Sequence, residues 1–161
     1  MSQGSAHFLG IREASNGERT LWGWGYNARG QLGDNSQTDR TIPVRVGDGT
    51  DWITAVAGDF FSMGIRGTGE RGTLWAWGER TYGRLGLGDD ALSGNQLTPV
   101  QVGTADDWFS VSGGMGENGF GMGMREAGNG GYNLWAWGLN TSGQLGDNST
   151  TQRNSPVQVQ R

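Results

Sequence analysis

The chain has 161 residues, a formal net charge of −4, no cysteine, eight tryptophans and 32 glycines. This length suits one domain, the aromatic content excludes a disordered chain, and the missing thiols exclude disulfides and thiolate metal centres. Every basic residue is arginine, and they form no basic stripe, so the charge balance gives no reason to expect a nucleic-acid partner.

In chain order the elements repeat. FLGIRE (8–13) is followed by the turn SNGERT (15–20), then LWGWG (21–25), then the loop YNARGQLGDN (26–35), then PVRVG (43–47). DWITAVAG (51–58) comes next, and the series returns as SMGIRG (62–67), GTGERGT (67–73), LWAWG (74–78), ERTYGRLGLGDD (79–90) and PVQVG (99–103). DWFSVSGG (107–114) opens a third round of GMGMRE (121–126), EAGNGGYN (126–133), LWAWG (134–138), LNTSGQLGDN (139–148) and PVQVQ (156–160). The units are approximately 1–50, 51–106 and 107–161 of a single repeat domain.

Each apolar block predicts a short strand. Trp22 and Trp24 are two residues apart, as are Trp75 and Trp77, and Trp135 and Trp137, so a strand puts each pair on one face. Val44/Val46, Val100/Val102 and Val157/Val159 alternate likewise, and a proline that opens a strand suits a sheet edge. The glycine-rich connections are hairpin turns, and the glycine content disfavours helices of any length. Four strands per unit of about 55 residues predicts an all-β fold of β-propeller blades. The tryptophans are expected between blades, with Leu32, Leu85 and Leu145 plugging the gaps and G-x-L-G glycines supplying positive φ.

Taken together, W-x-WG, GQLG, PVxV and DW-x-x-V resemble the repeat of the regulator of chromosome condensation family, and equally the propeller-type β-lactamase inhibitory protein, over residues 4–160. The resemblance implies a propeller with DW-x-x-V innermost, then the MGIR-type strand, then LWAWG, and PVQV outermost. Family members are typically seven-bladed and include a guanine-nucleotide exchange factor and a β-lactamase inhibitor, but the loops that carry those activities find no match here. Three units make an incomplete propeller with two bare apolar faces, and nothing in the first unit matches 51–54. An apolar face of that size marks an interface. Head-to-tail self-assembly closes it into a ring or leaves a filament. A missing partner half, a longer parent chain and an open three-blade arc are the alternatives.

Few residues point to chemistry. His7, the sole histidine, aligns with Phe61 and is expected as a strand-edge residue. Gly67–Gly72 spells GxGxxG, but a strand follows it where a phosphate site needs a helix. Asp34-Asn-Ser and Asp147-Asn-Ser-Thr lack the glycine and glutamate of a calcium loop and read as turn caps. The pairs Asp89/Asp90 and Asp106/Asp107 read as loop charge, and the sequons at Asn140 and Asn148 as chance. No cofactor or metal is expected, and neither a signal peptide nor a membrane span is visible; the compartment is left open. The segments between WG and G-x-L-G vary while the scaffold repeats. Tyr26, Asn27, Arg29, Glu79, Arg80, Tyr82 and Asn140 are therefore the candidate protein-binding residues, on one rim of the propeller. The enlarged segment 113–121 is a candidate contact loop. These readings point to a non-enzymatic, self-assembling protein-binding module, such as a filament or particle-coat subunit. A regulator or inhibitor acting on one target is the second reading and a propeller enzyme the third.

Overall fold

The computed structural model describes residues 1–4, 6–88, 94–114, 119–128 and 130–160. Asp89, Asp90 and residues 115–118 of the enlarged segment lie outside the described residues. The elements form three four-stranded antiparallel sheets. Blade 1 holds β1 (Ser2–Gln3), β2 (His7–Glu13), β3 (Arg19–Gly25) and β4 (Arg40–Arg45). Blade 2 holds β5 (Trp52–Ala57), β6 (Phe61–Arg66), β7 (Thr73–Gly78) and β8 (Gln96–Gln101). Blade 3 holds β9 (Trp108–Gly113), β10 (Phe120–Ala127), β11 (Gly131–Gly138) and β12 (Arg153–Gln158). The DW strand is therefore at one edge of blades 2 and 3 and the PVxV strand at the other.

The registers repeat as the sequence does. His7 pairs with Gly25, Phe61 with Gly78 and Phe120 with Gly138. The stretch Gly67–Gly72 joins β6 to β7 as a hairpin, with a strand on each side. Blade 1 differs at its inner edge: β1 is two residues long and pairs only with Leu9 and Phe8.

Burial concentrates at the two blade junctions. Leu9, Leu21, Val46, Trp52, Ala57 and Trp77 form one cluster, between blades 1 and 2. Phe61, Met63, Ile65, Leu74, Leu85, Trp108 and Trp137 are the largest members of the second, between blades 2 and 3. A blade alone is a single sheet with two apolar faces, so stacking is what removes them from water.

Candidate functional site

The junction between blades is built the same way twice. In blades 2 and 3 the second tryptophan of the W-x-W pair donates its indole N–H to a backbone carbonyl in the preceding blade's G-x-L-G loop. Trp77 Nε1 reaches Gln31 O at 2.8 Å, and Trp137 Nε1 reaches Arg84 O at 3.0 Å. A second bond runs from the loop to the next blade's outer strand: Asn35 N–H to Leu97 O at 3.0 Å, and Gly88 N–H to Asn154 O at 2.7 Å. Gly33 and Gly86 lie flush against these indoles. A Cβ at Gly33 would fall 2.8 Å from Trp77 Nε1, and one at Gly86 3.0 Å from Trp137 Cδ1, and both glycines have positive φ. Trp52 and Trp108 stand edge-on to Trp77 and Trp137, with centroids 5.7 and 5.8 Å apart. Both DW tryptophans are buried.

The outer faces hold the unmade halves of this junction. In blade 1, Trp24 occupies the place of Trp77 and Trp137 but is half-buried, stacked on the exposed Phe8 at 5.5 Å. Trp22 beside it is half-buried as well. Packing between blades was expected for both; no blade lies over them here, so they form an apolar surface. In blade 3 the G-x-L-G loop is bare. Gly146 is exposed where Gly33 and Gly86 are buried. Asn148 N–H, in the position of Asn35 and Gly88, has no acceptor among the described residues. A groove of about 770 Å³ lined by Gly143, Gly146, Asn148, Ser149, Thr150 and Gln160 lies there. Trp75 and Trp135 are half-buried, and Leu32, Leu85 and Leu145 are buried. Leu32 lies against Gly23 of its own blade, beside Leu9 and Val46 of the junction cluster.

The rim loops divide into two designs. In blades 1 and 3 an asparagine organises the loop from inside. Asn27 Nδ2 donates to Asp34 Oδ1 at 3.1 Å, Ser36 O at 3.0 Å and Thr38 O at 3.2 Å, while its Oδ1 accepts from Leu32 N–H at 2.9 Å. Asn140 repeats this with Asp147, Ser149, Thr151 and Leu145. Both are fully buried, which corrects their assignment to the partner-facing rim: their amides are consumed in holding the loop. Asp34 and Asp147 cap the turns as read, through Ser36 and Ser149, and are clamped by Arg40 and Arg153. Burial alone would raise the Asp34 carboxyl, but bonds from Ser36, Arg40 and Asn27 outweigh it and leave it lowered. Asp147 is lowered to about 2, chiefly by the Ser149 hydrogen bond, with Arg153 and Asn140 adding to it.

Blade 2 lacks this brace. Arg80, Leu87 and Gln96 stand where the other blades have asparagine, aspartate and arginine. Arg84 is buried instead and pairs with Glu79 at 2.5 Å. Burial lowers its affinity for the proton, with Glu79 opposing that. Arg29 of blade 1 reaches the same carboxylate at 3.5 Å and is half exposed. Tyr82 has φ 62°, a left-handed conformation unusual for a bulky residue, and is 44 % exposed. Tyr26, 37 % exposed, meets Phe60 edge-on at 6.4 Å. Tyr26, Arg29 and Glu79 therefore gather where blades 1 and 2 meet, while Tyr82 lies on the turn 81–83 that packs against blade 3, and Arg80 lines a crevice there with Gly83 and Asn154. Phe60 and Arg84 belong with them and were not singled out from the sequence.

His7 is fully buried rather than at a strand edge. Its Nε2 lies 2.9 Å from Ser62 Oγ, whose single proton goes to Gln31 O at 2.7 Å. Nε2 is then the donor to Ser62 Oγ. Burial lowers its pKa to about 4, partly offset by Asp59. Among the described residues no three His, Cys, Asp or Glu side chains converge to hold a metal, and no helix is long and apolar enough to cross a membrane.

The stacked four-stranded sheets, with their junctions and rim loops, define a β-propeller interaction scaffold. The regulator of chromosome condensation (RCC1) repeat profile matches residues 20–65, 71–116 and 133–161, and the chain belongs to that repeat family. It is 31 % identical to the ultraviolet-B receptor UVR8 of Arabidopsis thaliana over 99 % of its own length and 33 % of the receptor's. It is 32 % identical to human Protein RCC2 over 82 % of its own length and 24 % of RCC2's. The crystal structure of Prp20p from Saccharomyces cerevisiae, described with its binding to Gsp1p and histones, superposes on 99 % of the chain with a TM-score of 0.78 at 17 % identity. The chain spans 37 % of that structure, so the likeness concerns the blades alone.

Proposed function

We propose that this chain is a non-enzymatic protein-binding propeller module that joins head to tail with a second copy. One observation carries the reading: the junction made twice within the chain has its two missing halves on opposite faces. Trp24 offers the indole that Gln144 O has not received, and Asn148 N–H offers the bond that Thr41 O, the counterpart of Leu97 and Asn154, has not accepted. The contact is heterologous, so it closes into a ring if the rotation permits and otherwise extends as a filament or coat. Light scattering coupled to size exclusion tests it. A mass of two or more chains that falls to 17.2 kDa in Trp24→Ala supports assembly through this face. A 17.2 kDa wild-type chain at all concentrations removes it.

The rim supports a second reading, a regulator that holds one target protein. It rests on blade 2, where the loop brace is given up and an exposed Tyr82 is held in a strained conformation against Arg84, whose partner Glu79 also reaches Arg29. Strain of this kind persists where it serves recognition, and Tyr and Arg are the residues that dominate interfaces. Prp20p, which shares the fold, is described as binding proteins. A target captured by the wild type and equally by Tyr82→Ala/Arg29→Ala argues against this surface.

A further inference from the structure

The corner of the rim where blades 1 and 2 meet is built from parts that blade stacking does not require. Phe60, just before β6, meets Tyr26 edge-on at 6.4 Å, and its carbonyl accepts Glu79 N–H at 2.9 Å. Glu79 in turn lies between two guanidinium groups. The buried Arg84 pairs with its Oε2 at 2.5 Å, and Arg29 faces its Oε1 at 3.5 Å. Tyr26, Phe60, Glu79 and Arg29 thus form one continuous patch. By register, the same four positions at the junction between blades 2 and 3 hold Glu79, Gly119, Leu139 and Tyr82. That junction stacks with neither a Tyr–Phe pair nor an exposed arginine there, so the patch answers to something other than stacking.

The loop that carries Tyr26 and Arg29 is held at several points besides the Asn27 brace. Tyr26 N–H bonds Ala6 O at 2.9 Å, Arg29 N–H bonds Gln31 Oε1 at 3.0 Å, and Gln37 Nε2 bonds Ala28 O at 2.9 Å. A backbone fixed in advance lowers the ordering cost when a partner arrives. The hydrogen bonds at this corner also leave donors in surplus. The carbonyls of Ala6, Asn27, Ala28, Gln31 and Phe60 each accept a bond. The Arg29 guanidinium makes no hydrogen bond among the described residues; its ionic contact is the 3.5 Å approach to Glu79. Gln31 Nε2, two residues on, is buried without an acceptor among them. Of the charged groups here, Arg29 reaches furthest into solvent. Arg84 is buried, Glu79 is mostly covered, and Asp59, which also acts on Arg84, is half-buried. A partner therefore meets a positive charge first, beside two aromatic rings.

We propose that this patch binds an acidic residue of a partner protein together with an apolar side chain next to it. The carboxylate accepts from the terminal amino groups of Arg29, in the forked geometry that suits a guanidinium. The apolar neighbour lies on Tyr26 and Phe60. Glu79 is a positioning residue: anchored by Arg84, it holds the Arg29 guanidinium over the junction. The inference rests on the regulator reading and names the chemistry of its target.

Selection from a random peptide library displayed on phage, with the full chain as bait, tests it. The selected peptides are expected to share an aspartate or glutamate beside an apolar residue. Fluorescence anisotropy of a selected peptide then reads Arg29→Ala and Tyr26→Ala. Both side chains reach solvent, so each variant should keep the wild-type circular dichroism. Each should weaken binding by about fivefold or more, the loss that marks an interface residue that matters, and rising salt should weaken the wild-type complex. Acidic peptides indifferent to both substitutions overturn the proposal. Selected peptides without an acidic residue that still depend on Tyr26 also overturn it, but they keep the regulator reading. No selection at all overturns it as well, and the regulator reading is then decided separately by capture of a folded target.

Discussion

Trp77 and Trp24 occupy one register of the repeat in two surroundings, so truncating each isolates what the junction contributes. Trp77→Ala removes a fully buried indole, and such truncations cost about 3–5 kcal/mol. The lost bond to Gln31 O accounts for about 1 kcal/mol of that, and the edge-on contact with Trp52 for about 0.5–1.5 kcal/mol. Gln31 O keeps the Ser62 hydroxyl, so no carbonyl is left unpaired, and a total of about 4 kcal/mol is expected. Trp24→Ala removes a half-buried ring with no such bond; stacking on Phe8 and part of a ring's burial are lost, and about 1 kcal/mol is expected. Urea unfolding of dilute protein, followed by tryptophan fluorescence and by circular dichroism, reads both. With a slope of about 2 kcal/mol per molar, the midpoint falls by about 2 M for Trp77→Ala and about 0.5 M for Trp24→Ala. Equal losses would refute the claim that the G-x-L-G loop of the preceding blade is what makes this tryptophan structural.

Three further outcomes are expected. His7 has a folded pKa lowered from 6.5 to about 4, so the proton favours the unfolded chain. Stability is full above pH 6.5 and declines as pH falls toward 4, by roughly 3 kcal/mol; unfolding titrations of His7→Gln, which retains a donor for Ser62, should be flatter across that window. Asn140→Ala empties a buried site that satisfies four partners and should cost about 2–4 kcal/mol, with the Asp147 carboxyl titrating higher by NMR because one of its donors is gone. Tyr82→Asn relieves the left-handed strain and should raise the thermal midpoint by a gain of about 0.5–1 kcal/mol, while weakening target binding if the rim is the binding surface.

Repetition made much of the architecture legible without coordinates. Three recurrences of LW-x-WG and PVxV, each with period-two alternation, specify the strands, their order and the hairpins between them, because strand patterning and turn chemistry are local. The capping by Asp34 and Asp147 was readable for the same reason: an aspartate bonds to backbone two residues on. Burial was not readable. Alternation says which side chains share a face, and only the packed structure says what covers that face. Trp24 and Trp77 look alike in sequence and differ in exposure because one has a loop in front of it. Asn27 and Asn140 look like variable rim residues, yet they are interior because their amides fit the backbone of a loop that closes around them. The contacts of His7 with Ser62 and of Arg29 with Glu79 cross from blade to blade between residues far apart in the chain. They follow from how sheets stack, a property no single unit carries, so tertiary structure alone placed them.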